Sequence, residues 1–186
     1  MRTYLIAIMA LFCVASVSAQ TQVGDATLPN TMTMEGTSLV LNGAGLREKA
    51  WFDLYAGGLY LTSKSSNASS IINADETMTI KLHILSKLVT NKKMVSAVND
   101  GFESSLNGNT AAMADKIEKF KGFFSDKIVA GNIFDIAYVK GKGSVVYKNG
   151  TQVGVIEGLD FKKALFGIWL GEDPADDGLK EEMLGK

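Results

Sequence analysis

Residues 41–61, LNGAGLREKAWFDLYAGGLYL, carry most of what this chain says about itself. Glycines 43 and 45 flank a turn, and a single arginine, Arg47, follows it. An aromatic, glycine-broken strand then runs through Trp51, Phe52, Tyr55 and Tyr60. A guanidinium stays charged and presents a rigid fork of donors, so one placed where apolar strands begin is a natural receptor for a carboxylate or enolate. Tyr55 shares the parity of Arg47, which puts both side chains on one face of an unbroken strand. Together they would make a two-point clamp. A bulge at Gly57-Gly58 would bring Tyr60 to Arg47 instead. An arginine pointing into an apolar cavity requires an anionic ligand or a structural acid. The plain alternative is an exposed strand-end arginine with both tyrosines in the core.

Toward the N-terminus, residues 1–19 read as a secretory signal. Arg2 is the basic start, Tyr4 to Val14 form the apolar stretch, and Val17-Ser18-Ala19 presents small residues for cleavage. The stretch is shorter than the roughly 20 residues a bilayer crossing needs, and polar Gln20, Thr21 and Gln22 follow at once. No stable membrane anchor is therefore expected after cleavage, and the periplasm or the exterior is the expected destination. The only cysteine, Cys13, lies within the signal, so neither thiol chemistry nor a disulfide is expected. The net charge of −1 lacks the basic excess of a nucleic-acid binder. Residues 20–186 are enough for a single domain with a sizeable core.

Along that domain the pattern changes from strand to helix and back. Thr31 to Met34, Thr37 to Leu41 and Ala50 to Leu61 are expected strands, with a polar loop over Ser63–Ser70. Thr77 to Leu85 alternates, with Met78, Ile80, Leu82 and Ile84 on one side. Thr90 can cap a helix with the stripe Met94, Val98, Phe102 and Leu106. Thr110 can cap another with Met113, Ile117, Phe120 and Phe124. Strands are expected over Ile133–Val139, Ser144–Tyr147 and Gln152–Ile156, the last two joined by an Asn149-Gly150 hairpin turn. Asp160 would cap a helix closed by Gly171, and Asp173-Pro174 would begin a final short one. The sum is α+β: an antiparallel sheet covered by helices on one side.

Few residues could carry chemistry. The one histidine, His83, lies on the polar parity of its strand with Lys81 and Thr79. With no second histidine and no cysteine after the signal, no Cys/His metal site is expected, and no cofactor. Lys92 and Lys93 read as a solvated helix start, and the acidic tail from Glu172 to Glu182 as a solubilising surface. The glycines at 43–45 are no phosphate cradle, because a strand follows them and no GxGxxG pattern does.

From about Val23 onward the chain resembles a bacterial member of the chalcone isomerase-like family. The resemblance is carried by Leu39-Val-Leu-Asn-Gly-Ala-Gly-Leu-Arg47, by Tyr55-Ala-Gly-Gly-Leu-Tyr60, and by Asp160 to Gly171 with Asp173-Pro174. It implies an open-faced β-sandwich, a large antiparallel sheet under a helical layer with the ligand between them. In the plant enzymes of that family an arginine assists ring closure of a chalcone, with a threonine, tyrosine, lysine and asparagine. In the fatty-acid-binding relatives the arginine and a tyrosine grip a carboxylate. Carried over, the arginine falls on Arg47 and the strand threonine on Tyr55, as in the fatty-acid-binding branch. The enzyme's tyrosine and lysine fall on Lys92 and Val95, and only Asn99 coincides with the asparagine. Most of the catalytic set is thus absent.

The expected function is binding of a fatty acid or similar apolar carboxylate, with Arg47, Tyr55, Tyr60 and Asn99 as candidate ligand-binding residues. A second reading is an isomerase or lyase acting on an α,β-unsaturated ketone, with Arg47, Tyr55 and Asn99 catalytic and Arg47 stabilising an enolate. A third is an interaction module without a small ligand, its interlayer space filled by Phe102, Phe120, Phe124 and Trp169.

Overall fold

Seven strands pair antiparallel in the order of the chain: β3 (Thr31–Met34), β4 (Thr37–Lys49), β5 (Phe52–Leu61), β6 (Met78–Ile84), β7 (Ile133–Val139), β8 (Gly143–Lys148) and β9 (Thr151–Ile156). A separate hairpin, β1 (Gln20–Val23) with β2 (Ala26–Pro29), precedes them. The computed structural model describes residues 20–186, and the expected secretory signal over 1–19 lies outside them. Helix α1 (Ala68–Asn73) sits between β5 and β6, and α2 (Asn91–Ser105) and α3 (Ala114–Gly122) between β6 and β7. The last two, α4 (Leu159–Leu170) and α5 (Asp177–Met183), follow β9.

Alternation decides which face of the sheet each strand buries. Met78, Ile80, Leu82 and Ile84 of β6 are all at most 2% exposed and pack under the helices with Met94, Val98 and Phe102 of α2. The other face is apolar too. Leu39, Tyr60, Ala137 and Val145, from four different strands, form a second cluster there. They meet because the sheet curls, as strand twist favours. The curl brings Glu35, in the β3–β4 turn, against the Tyr147 hydroxyl and the Lys142 ammonium. The helical face is α+β layering of the expected kind.

Several local readings change. The Gly43-Ala-Gly45 stretch is continuous strand within β4, not a turn. Its glycines are needed because α5 lies on them: a Cβ on Gly43 would fall 2.0 Å from the Glu182 carbonyl oxygen, and one on Gly45 1.5 Å from Glu182 Oε2. The hairpin between β4 and β5 turns instead at Ala50-Trp51. The polar loop at Ser63–Ser70 contains the start of α1, whose first turn is capped by the Asn67 side chain accepting from Ser70 N. Thr90 caps α2 as expected, but Thr110 makes no cap bond. Helix α4 begins after Gly158, with Asp160 in its first turn, and α5 is capped by Asp176 instead of Asp173.

Four rings fill the space beneath α2, α3 and α4. Phe102, Phe120, Phe124 and Phe161 are at most 1% exposed, with centroids of neighbouring rings 5.4–5.9 Å apart. On α4, Lys162 is fully buried and donates to the carbonyls of Ile71 (2.8 Å), Ile72 (2.9 Å) and Ala74 (2.8 Å) at the end of α1. This ties α1 to the helical layer.

Candidate functional site

The aromatic filling stops short of the other end of the interlayer space. There, between the sheet and helices α2 and α4, lies a cavity of about 500 Å³. Its walls are Leu54 and Tyr55 of β5, Leu82 of β6, Met94 and Val98 of α2, and Ile168 and Trp169 of α4. Arg47 stands at its edge, and Lys49, Phe52, Leu88 and Lys93 surround the opening. The volume lies in the range of small-molecule sites, which are mostly apolar with a few placed polar groups.

A bulge shapes this wall. Arg47 pairs with Tyr55 and Glu48 with Asp53, so Leu54 is an extra residue on β5. Two consecutive side chains, Leu54 and Tyr55, therefore line the cavity where a regular strand would offer one. Beyond the bulge β5 is regular from Tyr55 to Tyr60 along β6, so Gly57-Gly58 holds no bulge.

The polar groups are Arg47 and Tyr55. Arg47 Nη1 donates to Asp176 Oδ2 at 2.7 Å and to the Glu48 carbonyl at 3.1 Å. Among the described residues the guanidinium engages no second carboxylate or carbonyl, and it lies within reach of the Tyr55 hydroxyl. The pair is partly exposed, 23% for Arg47 and 20% for Asp176. Asp176 Oδ1 meanwhile accepts from Leu179 N at 2.9 Å, so one carboxylate both caps α5 and neutralises Arg47. Trp169 Nε1–H donates to the Tyr55 oxygen at 3.1 Å, which leaves the phenol's own proton available. Burial raises the Tyr55 pKa, outweighing the opposing pull of the Trp169 bond and the Arg47 charge, so this phenol is a neutral donor.

Two of the four candidates are not at the cavity. Tyr60 lies five residues beyond Tyr55 on a regular strand, an odd spacing that turns it to the opposite face. It is 0% exposed, and its hydroxyl donates to the Pro29 carbonyl at 2.8 Å. Asn99 follows Val98 on α2, and one helical step rotates it about 100° away from the cavity. It accepts instead from Lys121 Nζ of α3 at 3.4 Å. The three groups considered for ketone chemistry, Arg47, Tyr55 and Asn99, therefore do not converge. His83 is half-buried outside the cavity wall, its pKa lowered by burial and then by Lys81. No cluster of three or more metal-ligating side chains occurs among the described residues.

Sequence reasoning missed Asp176 and Lys93, both taken for solvated surface. Asp176 does carry a local signal, an acid at the start of a helix. Nothing local marks Lys93, whose position at the opening depends on how α2 docks. Trp169, read as filler, is the residue that orients Tyr55.

These features define a class: a curled antiparallel sheet under helices, with a largely apolar slot opening beside a partly engaged arginine. The chain belongs to the chalcone isomerase-like family, whose model matches residues 20–185. It is 24% identical over 182 residues to Fatty-acid-binding protein 1 of Arabidopsis thaliana, a match covering 80% of this chain. The chain spans 64% of that relative's length. A crystal structure of an Arabidopsis thaliana fatty-acid binding protein superposes with a TM-score of 0.67 at 20% identity, covering 86% of this chain and 91% of that one. That likeness establishes the shared fold.

Proposed function

We propose that this protein is exported and binds a fatty acid or a similar apolar carboxylate, its chain in the cavity and its carboxylate at Arg47 and Tyr55. The observation that carries the reading is the cavity itself: an apolar slot of about 500 Å³ with a guanidinium edge and a phenol whose proton is available. The name of the Arabidopsis relative is consistent with it. Export rests on the signal-like residues 1–19.

Asp176 sets how much the arginine contributes. Arg47 is already matched in charge, so an incoming carboxylate joins a pair instead of an isolated cation. Its net electrostatic gain is therefore modest, and Lys49 and Lys93 at the opening add to it. Burial of the acyl chain supplies most of the affinity, at about 0.8 kcal/mol per methylene before association costs. The polar pair chiefly fixes which end of the ligand enters first.

Titration calorimetry of delipidated protein with long-chain fatty acids tests the reading. Binding that weakens in Arg47→Ala but not in Lys119→Ala, an exposed change on α3, supports it. Undiminished affinity in Arg47→Ala would remove Arg47 from the site, and no binding at all would remove the ligand class.

A further inference from the structure

Among the described residues, four of the five exposed large hydrophobic side chains gather at the end of the molecule where the cavity opens. Trp51 (87% exposed) and Phe52 (55%) form the tip of the β4–β5 hairpin, and Leu88 (40%) lies in the corner between β6 and α2. Val129 (43%) stands in the adjoining loop, which the Gly131 N–H ties to the Ile84 carbonyl at the end of β6. Phe52 and Leu88 also line the opening.

The hairpin tip holds its tryptophan out at a conformational cost. Ala50 and Trp51 have φ of +48° and +68°, the left-handed pair that tight hairpins usually assign to Asn-Gly. The β8–β9 hairpin of the same sheet does use Asn149-Gly150. A strained turn with an almost fully exposed indole is the kind of feature retained for function.

Charge identifies what the tip meets. Lys49 and Lys93 stand at the opening beside the tip, and the exposed Lys92 and the nearby Lys87 neighbour Lys93 and Leu88 in the chain. One acid, Asp100 of α2, also lines the cavity, whereas Glu48 and Asp53 are a cross-strand pair that share a face, and Asp53 approaches Gly24 of the N-terminal hairpin, away from the opening. Tryptophan and phenylalanine beside lysines suit the interface of an anionic bilayer. A second copy docking by a twofold axis would oppose one basic rim to another.

We propose that this end of the protein docks on an anionic lipid bilayer, with Trp51 and Phe52 inserted at headgroup level and the cavity opening against the membrane. Docking goes beyond the ligand assignment and holds whatever acid occupies the cavity.

Sedimentation with phosphatidylcholine vesicles, with and without phosphatidylglycerol, tests it. The wild type is expected to sediment with the anionic vesicles, less so as salt is raised. Its tryptophan emission should shift to the blue; the chain has two tryptophans, and Trp169 is only 5% exposed, so the shift reports Trp51. Trp51→Asn suits the left-handed backbone and removes the indole without threatening the fold, and it should abolish the shift. Lys87→Gln with Lys92→Gln should weaken partitioning by on the order of thirtyfold. Both variants should keep the wild-type affinity for fatty acid in solution, which separates failure of docking from failure of the carrier reading. Wild-type protein that ignores anionic vesicles, or Trp51→Asn partitioning like wild type, overturns the proposal. So does a dimer that Trp51→Asn dissolves without any vesicle binding.

Discussion

Lys162 and Arg47 are both cations drawn out of bulk water, at opposite ends of the helical layer. The Lys162 ammonium has three N–H groups and gives all three to carbonyls, with the rings of Tyr138 and Phe166 5.6 Å and 5.3 Å away. It is fully buried and its donor capacity is spent. Arg47 has five N–H groups and, through Nη1, engages one carboxylate and one carbonyl while remaining 23% exposed. The two cations therefore differ in burial and in donor use: Lys162 is spent on the fold, whereas Arg47 keeps N–H groups at the edge of the cavity.

The sharpest way to break that contrast is to remove Lys162. Lys162→Met should destabilise the protein by about 3 kcal/mol or more, because three carbonyls at the end of α1 lose their donor. A loss below about 1 kcal/mol in chemical denaturation would show that water replaces the ammonium readily.

A glycine under α5 probes the other cation indirectly. Gly43→Ala places a methyl 2.0 Å from the Glu182 carbonyl, so α5, which carries the partner of Arg47, must shift. A destabilisation of about 1–3 kcal/mol is expected by denaturation, together with altered fatty-acid affinity. Unchanged stability would mean that α5 moves freely.

Arg47→Ala should reverse the pattern of Lys162→Met. Its stability loss should stay within about 1 kcal/mol, the scale of a partly exposed ion pair, while affinity for long-chain fatty acids falls about tenfold. A large stability loss with unchanged affinity would make Arg47 another structural cation. Tyr55→Phe should be milder, about fivefold in the same titration, since the ring and its apolar contacts remain.

A further effect is one of pH. Burial, and then the neighbouring Lys163, bring the Lys162 pKa down from 10.5 to about 8. Between those values the unfolded chain holds a proton that the native state has shed, so unfolding takes one up and stability rises with pH. Denaturation midpoints at pH 7.5 and 9.5, compared between wild type and Lys162→Met, isolate this contribution; equal pH slopes would count against it.

Much of the fold was legible because its signals are local. The alternation from Met78 to Ile84 marks one buried face, Thr90 accepts from Lys93 N at the start of α2, and Asn149-Gly150 turns a tight hairpin. The errors share a different origin. Gly43 and Gly45 looked like turn glycines, yet their reason lies in Glu182, far along the chain. Ala50-Trp51 adopts a turn geometry that its residue types do not advertise. Asp176 looked like surface because its partner, Arg47, is distant in sequence.

The site divides along the same line. Arg47 and Tyr55 could be placed on one face from parity alone, since side chains alternate along any strand. Tyr60 and Asn99 could not be excluded so simply. One depended on where β5 bulges, at Leu54 and not at Gly57-Gly58, and the other on which side of α2 meets α3.

Residue pattern alone was thus enough to establish an antiparallel sheet with covering helices and to single out the arginine, because period and charge are properties of neighbouring residues. Whether that arginine is exposed, neutralised by an acid or set beside a cavity depended on the docking of α2, α4 and α5 over the sheet. Such docking is a balance of many weak contacts between distant segments, and no short stretch of chain encodes it.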